Sequence, residues 1–180
     1  MKAIVVYESK YGSTKKYAEW LADSLACELY ERKAIRPEKL REYDTVVYGG
    51  GLYAGGVSGI RLLIDNFEAL RHKNLVLFTC GLADPTDAEN VARIRAGLAK
   101  ALAPQMLETI KVFHLRGGID YAKLGPVHKT MMAMLCAMTK KKGYDTLRNE
   151  EKEMLDTYGK IVDFTDRATT KPILDYIAGL

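Results

Sequence analysis

The segment Ser9-Lys10-Tyr11-Gly12-Ser13-Thr14 has the residue types of a phosphate-binding turn. Backbone N–H groups at the start of a helix, together with Ser and Thr hydroxyls, donate to phosphate oxygens without needing a fixed cation. Gly12 lets the backbone come close to such a group. An ordinary helix cap by Ser13 or Thr14 is the competing interpretation. Because the segment is neither a Walker A motif nor a dinucleotide fingerprint, the sequence favours the phosphate of a mononucleotide.

Two further turns carry residues suited to binding a flat ring. Gly49-Gly50-Gly51-Leu52-Tyr53-Ala54 follows an apolar run, and we interpret it as a glycine-rich loop with Tyr53 as an aromatic platform. A flexible turn with a surface tyrosine remains the alternative. Cys80-Gly81-Leu82-Ala83 follows the next apolar run in the same way.

Five short apolar runs alternate with segments of helical periodicity, which predicts βαβ units and a parallel sheet covered on both faces. The predicted strands are Ala3–Tyr7, Glu28–Glu31, Asp44–Tyr48, Leu75–Thr79 and Ile110–Leu115. The predicted helices lie at 13–25, Gly59–Leu70, 84–102, 126–142 and Glu151–Arg167. The carboxyl ends of parallel strands meet at one edge, so all three turns should lie together.

Residues 117–143 form an insertion between the fifth strand and the last helix, where a short connection would suffice. Met131 to Met138 is a run of apolar residues broken by no charge, and lysines flank it at 129 and 140–142. Such a helix is too short to span a bilayer but suits its interface. A cap on the core or an interface between two copies of the chain remains open. Because the five strands lie outside it, we expect the insertion to be dispensable for folding and for the three turns.

Composition points to one globular domain over residues 1–180. The chain of 180 residues is 48% hydrophobic and 28% charged, which is ordinary for a folded protein. Three scattered cysteines and no cleavage signal favour the cytoplasm. His72, His114 and His128 have no ligand spacing, so we expect no metal site.

Charge is unevenly distributed. Residues 111–148 hold eight Lys/Arg against two Asp in a chain of net charge +4, so the remainder is slightly acidic. The sequence therefore predicts a basic patch able to meet an anionic partner, with a merely solvated surface as the alternative. No feature of the sequence suggests nucleic-acid binding.

The three turns together resemble those of flavodoxins. The resemblance implies a flavodoxin-like three-layer α/β sandwich, with a five-stranded parallel sheet of order 2-1-3-4-5 and the helical insertion after strand 5. It also implies FMN as cofactor, with Gly50 to Tyr53 along the isoalloxazine ring, Tyr53 stacked on it and the third turn at its pyrimidine side. The cofactor-binding residues predicted in this way are Ser9, Lys10, Tyr11, Gly12, Ser13, Thr14, Gly50, Gly51, Leu52, Tyr53, Ala54, Cys80, Gly81, Leu82 and Ala83.

The insertion and the Gly143-Tyr144-Asp145-Thr146 segment resemble menaquinone-dependent protoporphyrinogen oxidase, a flavodoxin-domain protein. This resemblance implies an FMN-dependent oxidoreductase that takes hydrogens from a porphyrinogen and passes electrons to a quinone. The methionines would adapt to the flat macrocycle, the lysines would pair with its carboxylates, and residues 126–142 would touch the inner face of the membrane. A flavodoxin-type electron carrier docking on a redox protein, and an FMN-dependent quinone or NAD(P)H reductase, remain alternatives. No side chain stands out as a catalytic acid or base.

Overall fold

The computed structural model describes residues 1–53 and 55–180. The strands in these residues are β1 (Ala3–Glu8), β2 (Glu28–Glu31), β3 (Thr45–Tyr53), β4 (Gly56–Val57), β5 (Asn74–Gly81), β6 (Lys111–Arg116), β7 (Gly118–Asp120) and β8 (Ile161–Asp163). The helices are α1 (Ser13–Leu25), α2 (Arg61–Leu70), α3 (Ala88–Ala101), α4 (Pro104–Thr109), α5 (Pro126–Lys140), α6 (Asn149–Thr157) and α7 (Lys171–Ala178).

The main sheet has the parallel order β2-β1-β3-β5-β6, with β4 paired antiparallel to the end of β3. This confirms the predicted fold class and the predicted order of five parallel strands. The central strands are buried on both faces, which is why they read as continuous apolar runs in the sequence.

Each face of the sheet carries its own core. Ile4, Val46 and Leu77 pack on one face with side chains of α2, α3 and α4. Val5 and Val47, one residue along from the first set, pack on the other face with α1 and α7. The period of two in side-chain direction thus produces the three-layer arrangement.

Strand β3 does not end at Tyr48 as predicted. It continues through Gly49–Gly51 to Tyr53, paired with β1 and β5 over the glycines. A Cβ at Gly49 would lie 2.1 Å from Cζ of Phe78, and one at Gly50 would lie 2.3 Å from Cγ1 of Val57. These glycines therefore serve close packing inside the sheet, and the turn falls later, at Gly55 with a φ of +80°.

The predicted helix Glu151–Arg167 is also wrong. Helix α6 ends at Thr157, Gly159 takes a φ of +81°, and β8 follows. β8 pairs antiparallel with β7, so the start of the insertion is tied to the chain beyond α6. The last helix, α7, was not predicted; its Ile173 and Ile177 are buried in the α1 face of the core.

Candidate flavin site and methionine chamber

A cavity of about 670 Å³ lies at the carboxyl ends of β3 and β5, beside the N-terminus of α1. Its size is within the usual range for ligand and cofactor sites. Ten of the predicted site residues line it: Ser9, Tyr11, Ser13, Thr14, Leu52, Tyr53, Cys80, Gly81, Leu82 and Ala83. Lys10, Gly12, Gly50 and Gly51 are not among the lining residues, and Ala54 lies outside the described residues.

The first turn forms an uncapped helix N-terminus. Helix α1 begins at Ser13, no side chain caps it, and its first turn contains no acidic residue. Gly12 takes a φ of +100° and donates its N–H to Oγ of Ser9 at 3.1 Å. The first N–H groups of an α-helix have no partner within the helix, so they are available to an anion.

Thr14 joins the first turn to the third. It is 3% exposed and lies beside the thiol of Cys80. Burial raises the pKa of Cys80 to about 12, although the neighbouring Thr14 hydroxyl opposes that shift. Cys80 is therefore a neutral thiol that fills space in the wall of the cavity rather than a reactive nucleophile.

One wall of the cavity is the β3–β4 hairpin, which follows Gly49–Gly51. Gly50 and Gly51 lie inside strand β3, which corrects the prediction that they form the ring-binding loop. Leu52 and Tyr53 reach the cavity instead, paired across the hairpin with Val57 and Gly56. Burial raises the pKa of Tyr53 to about 12, so its phenol stays protonated at neutral pH.

The third turn is held from behind by Arg116. Its Nε donates to the carbonyl oxygen of Leu82 at 3.1 Å, and its Nη1 lies 3.5 Å from Oδ2 of Asp84. The guanidinium also lies 3.8 Å from the centre of the Phe164 ring. Two hydrogen bonds from Thr86, backbone and side chain, lower the pKa of Asp84, and Arg116 adds to that shift.

His128, at the start of α5, belongs to the site although its spacing suggested only a surface or structural role. Its Nδ1 lies 2.7 Å from Oη of Tyr11, and its ring stacks on Tyr53 with centroids 5.5 Å apart and an interplanar angle of 18°. The sequence held one signal for it. His128 stands three residues before Met131 and seven before Leu135 on one face of α5, and all three line the cavity.

The insertion is thus part of the site rather than separate from it. Gly117, Gly118 and Tyr121 line the same cavity as the predicted turns. The hydroxyl of Tyr121 is buried without a hydrogen-bond partner, and burial raises the pKa of that phenol to about 12. Residues of the insertion therefore contact the turns, and the expectation that residues 117–143 are dispensable stays a prediction.

The far part of the cavity is apolar and is covered by α5. We call it the methionine chamber and define it by Ile94 and Leu98 of α3, Met131, Met132, Met134, Leu135 and Met138 of α5, and Met154 of α6. Met134, Leu135 and Met138 are 60%, 44% and 58% exposed. Flexible thioether side chains in such a wall can adapt to ligands of different outline.

Comparison with known proteins decides the family. A sequence model described as a flavodoxin domain matches residues 4–146, which is most of the chain. The protein belongs to the flavodoxin-domain family. An uncharacterised protein of Methanocaldococcus jannaschii is 29% identical over 83 residues, which is 45% of this chain and 55% of that protein. The match therefore spans about half the length of that relative.

Solved structures of a candidate flavoprotein and of a flavodoxin resemble the chain at low identity. A candidate flavoprotein of Bacteroides eggerthii has a TM-score of 0.46 and 17% identity, over 63% of this chain and 85% of its own. Flavodoxin 2 of Bacillus cereus, in its oxidised form, has a TM-score of 0.41 and 21% identity, over 64% of this chain and 86% of its own.

FMN is the cofactor of this flavodoxin-domain protein, and the residues present fit it. The uncapped start of α1, with Gly12 at positive φ, is a cradle for an anion. The same cavity is lined by Ser13 and Thr14 at that cradle, by Tyr53 and by the third turn. The individual contacts of Ser9, Ser13, Thr14 and the other lining residues with FMN remain predictions.

Proposed function

We propose that this protein is an FMN-dependent oxidoreductase that exchanges electrons with an apolar ring substrate held in the methionine chamber. The observation that supports this proposal is that one continuous cavity is lined both by Tyr53, in the proposed FMN site, and by Met131 of α5, in the methionine chamber. A carrier that docks on a redox protein needs only an accessible flavin edge, and a covered apolar chamber beside it has no use in that role.

The charges around the chamber favour a neutral substrate. Among the described residues, the cations in its wall are Arg93 and Arg148, and each is paired with a carboxylate. Arg93 pairs with Glu150, and Arg148 pairs with Glu151 at 3.2 Å. A substrate carboxylate would have to compete for these arginines, so an uncharged quinone fits better than a carboxylated tetrapyrrole.

The lysines of the insertion bear on the choice of substrate. Residues 129 and 140–142 are absent from the described lining of the chamber, and Nζ of Lys142 lies 2.7 Å from Oε1 of Glu151. The proposed electron acceptor is therefore a quinone. The porphyrinogen donor implied by the resemblance is the part of the proposal that needs a separate test.

The residues of this chain would bind FMN and enclose the substrate. FMN supplies the redox chemistry when bound, and the protein supplies position and exclusion of water. Ser13 and Thr14 hold the phosphate, Leu52 and Tyr53 form the wall for the ring, and α5 closes the substrate side.

The experiment compares electron acceptors. Anaerobically reduced holoprotein should be reoxidised faster by a menaquinone analogue than by cytochrome c. A parallel reaction with protoporphyrinogen as donor should develop porphyrin fluorescence only when quinone is present. Faster reoxidation by cytochrome c would overturn the proposal in favour of a carrier, and no porphyrin fluorescence would remove the porphyrinogen donor while leaving the quinone acceptor.

The outer lysines support a further part of this proposal, contact with an anionic membrane surface. Within residues 1–53 and 55–180, no helix has the length and apolarity needed to cross a membrane. Lys129 and Lys140 on α5, and Lys141 directly after it, are exposed. Sedimentation with anionic liposomes should occur at low salt and fall as salt rises. Binding that is unchanged by salt, or absent, would contradict this part.

A further inference from the structure

Two consecutive backbone N–H groups at the start of the insertion reach two different flavin turns. The N–H of Gly117 donates to the carbonyl oxygen of Gly81 in the third turn at 2.6 Å. The N–H of Gly118 donates to Oγ of Ser13 in the first turn at 3.0 Å. We call Gly117-Gly118 the diglycine strut, because it bridges the two turns from one short piece of backbone.

A side chain is excluded at both positions. A Cβ at Gly117 would lie 2.9 Å from Sγ of Cys80 and 3.2 Å from Cβ of Ser13. One at Gly118 would lie 2.5 Å from the carbonyl oxygen of Val162. Neither glycine has a positive φ, so the requirement is for close approach rather than for an unusual backbone conformation.

The strut is also supported from its far side. The carbonyl oxygen of Gly117 accepts the N–H of Phe164 at 3.2 Å, and Gly118 pairs with Asp163 in the β7–β8 ladder. Nζ of Lys16 in α1 lies 3.0 Å from Oδ2 of the same Asp163. The strut is therefore fixed between α1, the third turn and β8.

The bond from Gly118 has a chemical consequence for Ser13. A hydroxyl has one proton to donate and two lone pairs to accept with. With the Gly118 N–H on one lone pair, the hydroxyl proton of Ser13 is directed away from Gly118. Ser13 is the first residue of α1, so its remaining proton is available to an anion bound at the unpaired N–H groups of the helix start.

We infer that the diglycine strut is a positioning element for the phosphate of FMN. Gly118 orients the Ser13 hydroxyl as a donor, and Gly117 fixes the distance between the third turn and the start of α1. This inference rests on the proposed placement of the phosphate at the start of α1. It assigns to the insertion a part in cofactor selection, whatever the substrate in the chamber.

The test compares FMN with riboflavin, which lacks the phosphate, by fluorescence titration of the apoprotein. Ser13→Ala should weaken FMN about tenfold or more, since the lost bond is to a charged oxygen, and should leave riboflavin within about twofold. Gly118→Ala should act in the same selective way. Gly125→Ala is the matched control, because nothing lies within 4 Å of a Cβ there.

The double variant tests whether Gly118 acts through Ser13. Adding Gly118→Ala to Ser13→Ala should change the ratio of the FMN and riboflavin affinities no further, as expected for one coupled pair. Additive effects, or equal weakening of both flavins by Gly118→Ala, would overturn the inference. If Ser13→Ala leaves FMN affinity unchanged, the phosphate placement fails and the strut's proposed role fails with it.

A second measurement avoids any folding defect in the glycine variants. Amide hydrogen exchange followed by NMR should show the Gly118 N–H losing protection in Ser13→Ala, while the Gly117 N–H, bonded to Gly81, keeps it. Unchanged protection of Gly118 in that variant would show that the bond to Ser13 does not hold the strut.

Discussion

The two ends of the cavity are built in opposite ways. At the end where we propose that the phosphate of FMN binds, two backbone N–H groups set the geometry: the diglycine strut is joined to Gly81 and to the Ser13 hydroxyl by hydrogen bonds of 2.6 and 3.0 Å. In the methionine chamber, side chains of α3, α5 and α6 form the wall, five of the eight are unbranched methionines, and Met134, Leu135 and Met138 are about half exposed. A fixed backbone suits one invariant cofactor, whereas flexible side chains suit a substrate whose outline can vary.

The largest expected effect comes from cutting the insertion at two different places. Replacing 117–143 by a Gly/Ser linker removes the strut and β7, so we expect FMN binding to be lost. Replacing only 122–143 keeps both and should leave FMN bound while removing the chamber wall. FMN content after desalting, with circular dichroism as the folding control, distinguishes the two variants. Equal FMN content in both would show that the strut is not needed and that the original expectation of a dispensable insertion was right.

Polar substitutions in the chamber wall should have the next largest effect. Met131→Gln and Leu135→Gln remove apolar surface that a quinone would cover, and burying such a side chain contributes about 1.5–3 kcal/mol. We expect the KM for a quinone acceptor to rise about tenfold or more, with FMN retained.

Val127→Gln is the matched control for these substitutions. Val127 lies on the same helix, is 77% exposed and is not among the lining residues of the cavity. A rise in KM for this variant as large as that for Leu135→Gln would mean that the helix is sensitive everywhere, and the chamber would lose its assigned role.

The contact between the two regions predicts a smaller effect. His128 joins α5 to Tyr11 of the first turn and to Tyr53 of the second. His128→Phe keeps an aromatic ring but loses the hydrogen bond, which contributes about 1 kcal/mol. His128→Ala loses both. We expect tryptic cleavage at the lysines of α5 to be a few-fold faster in His128→Phe than in the wild type, and faster still in His128→Ala. Identical cleavage rates in the wild type and both variants would show that His128 does not hold the helix.

The sequence predicted the backbone end of the site better than the chamber. Ser9, Ser13 and Thr14 could be assigned to the cavity because the strand, turn and helix around them are all local in sequence. The fold followed from five apolar runs for the same reason. Gly50 and Gly51 were misread because a glycine that prevents a clash, with Val57 at Gly50 and with Tyr53 at Gly51, looks in sequence like a glycine that permits a turn.

The missed features all depend on contacts between residues far apart in sequence. His128 meets Tyr11 across 117 positions, and Gly118 meets Ser13 across 105. β8 exists because it pairs with β7, and a run as short as Ile161–Asp163 carries no periodicity of its own. Such contacts follow from the tertiary structure, so no local pattern predicts them.

The smallest expected effect is a pH dependence of the corner between α5 and α6. Oε1 of Glu151 accepts from Nζ of Lys142 at 2.7 Å, and Oε2 accepts from the backbone N–H of Arg148 at 3.0 Å. The bond from Lys142 is the main cause that lowers the pKa of Glu151 from 4.5 to about 2, and Arg148 adds to it. Because the pKa is lower in the folded protein, this carboxylate stabilises the corner fully above pH 4.5, and the stabilisation is lost as the pH falls toward 2.

The unfolding temperatures of the wild type and of Glu151→Gln should therefore differ most near neutral pH and converge in acid. The exposed Glu68→Gln serves as the control, and a difference between wild type and Glu151→Gln that stays constant down to pH 2 would show that the charge of Glu151 does not stabilise the corner.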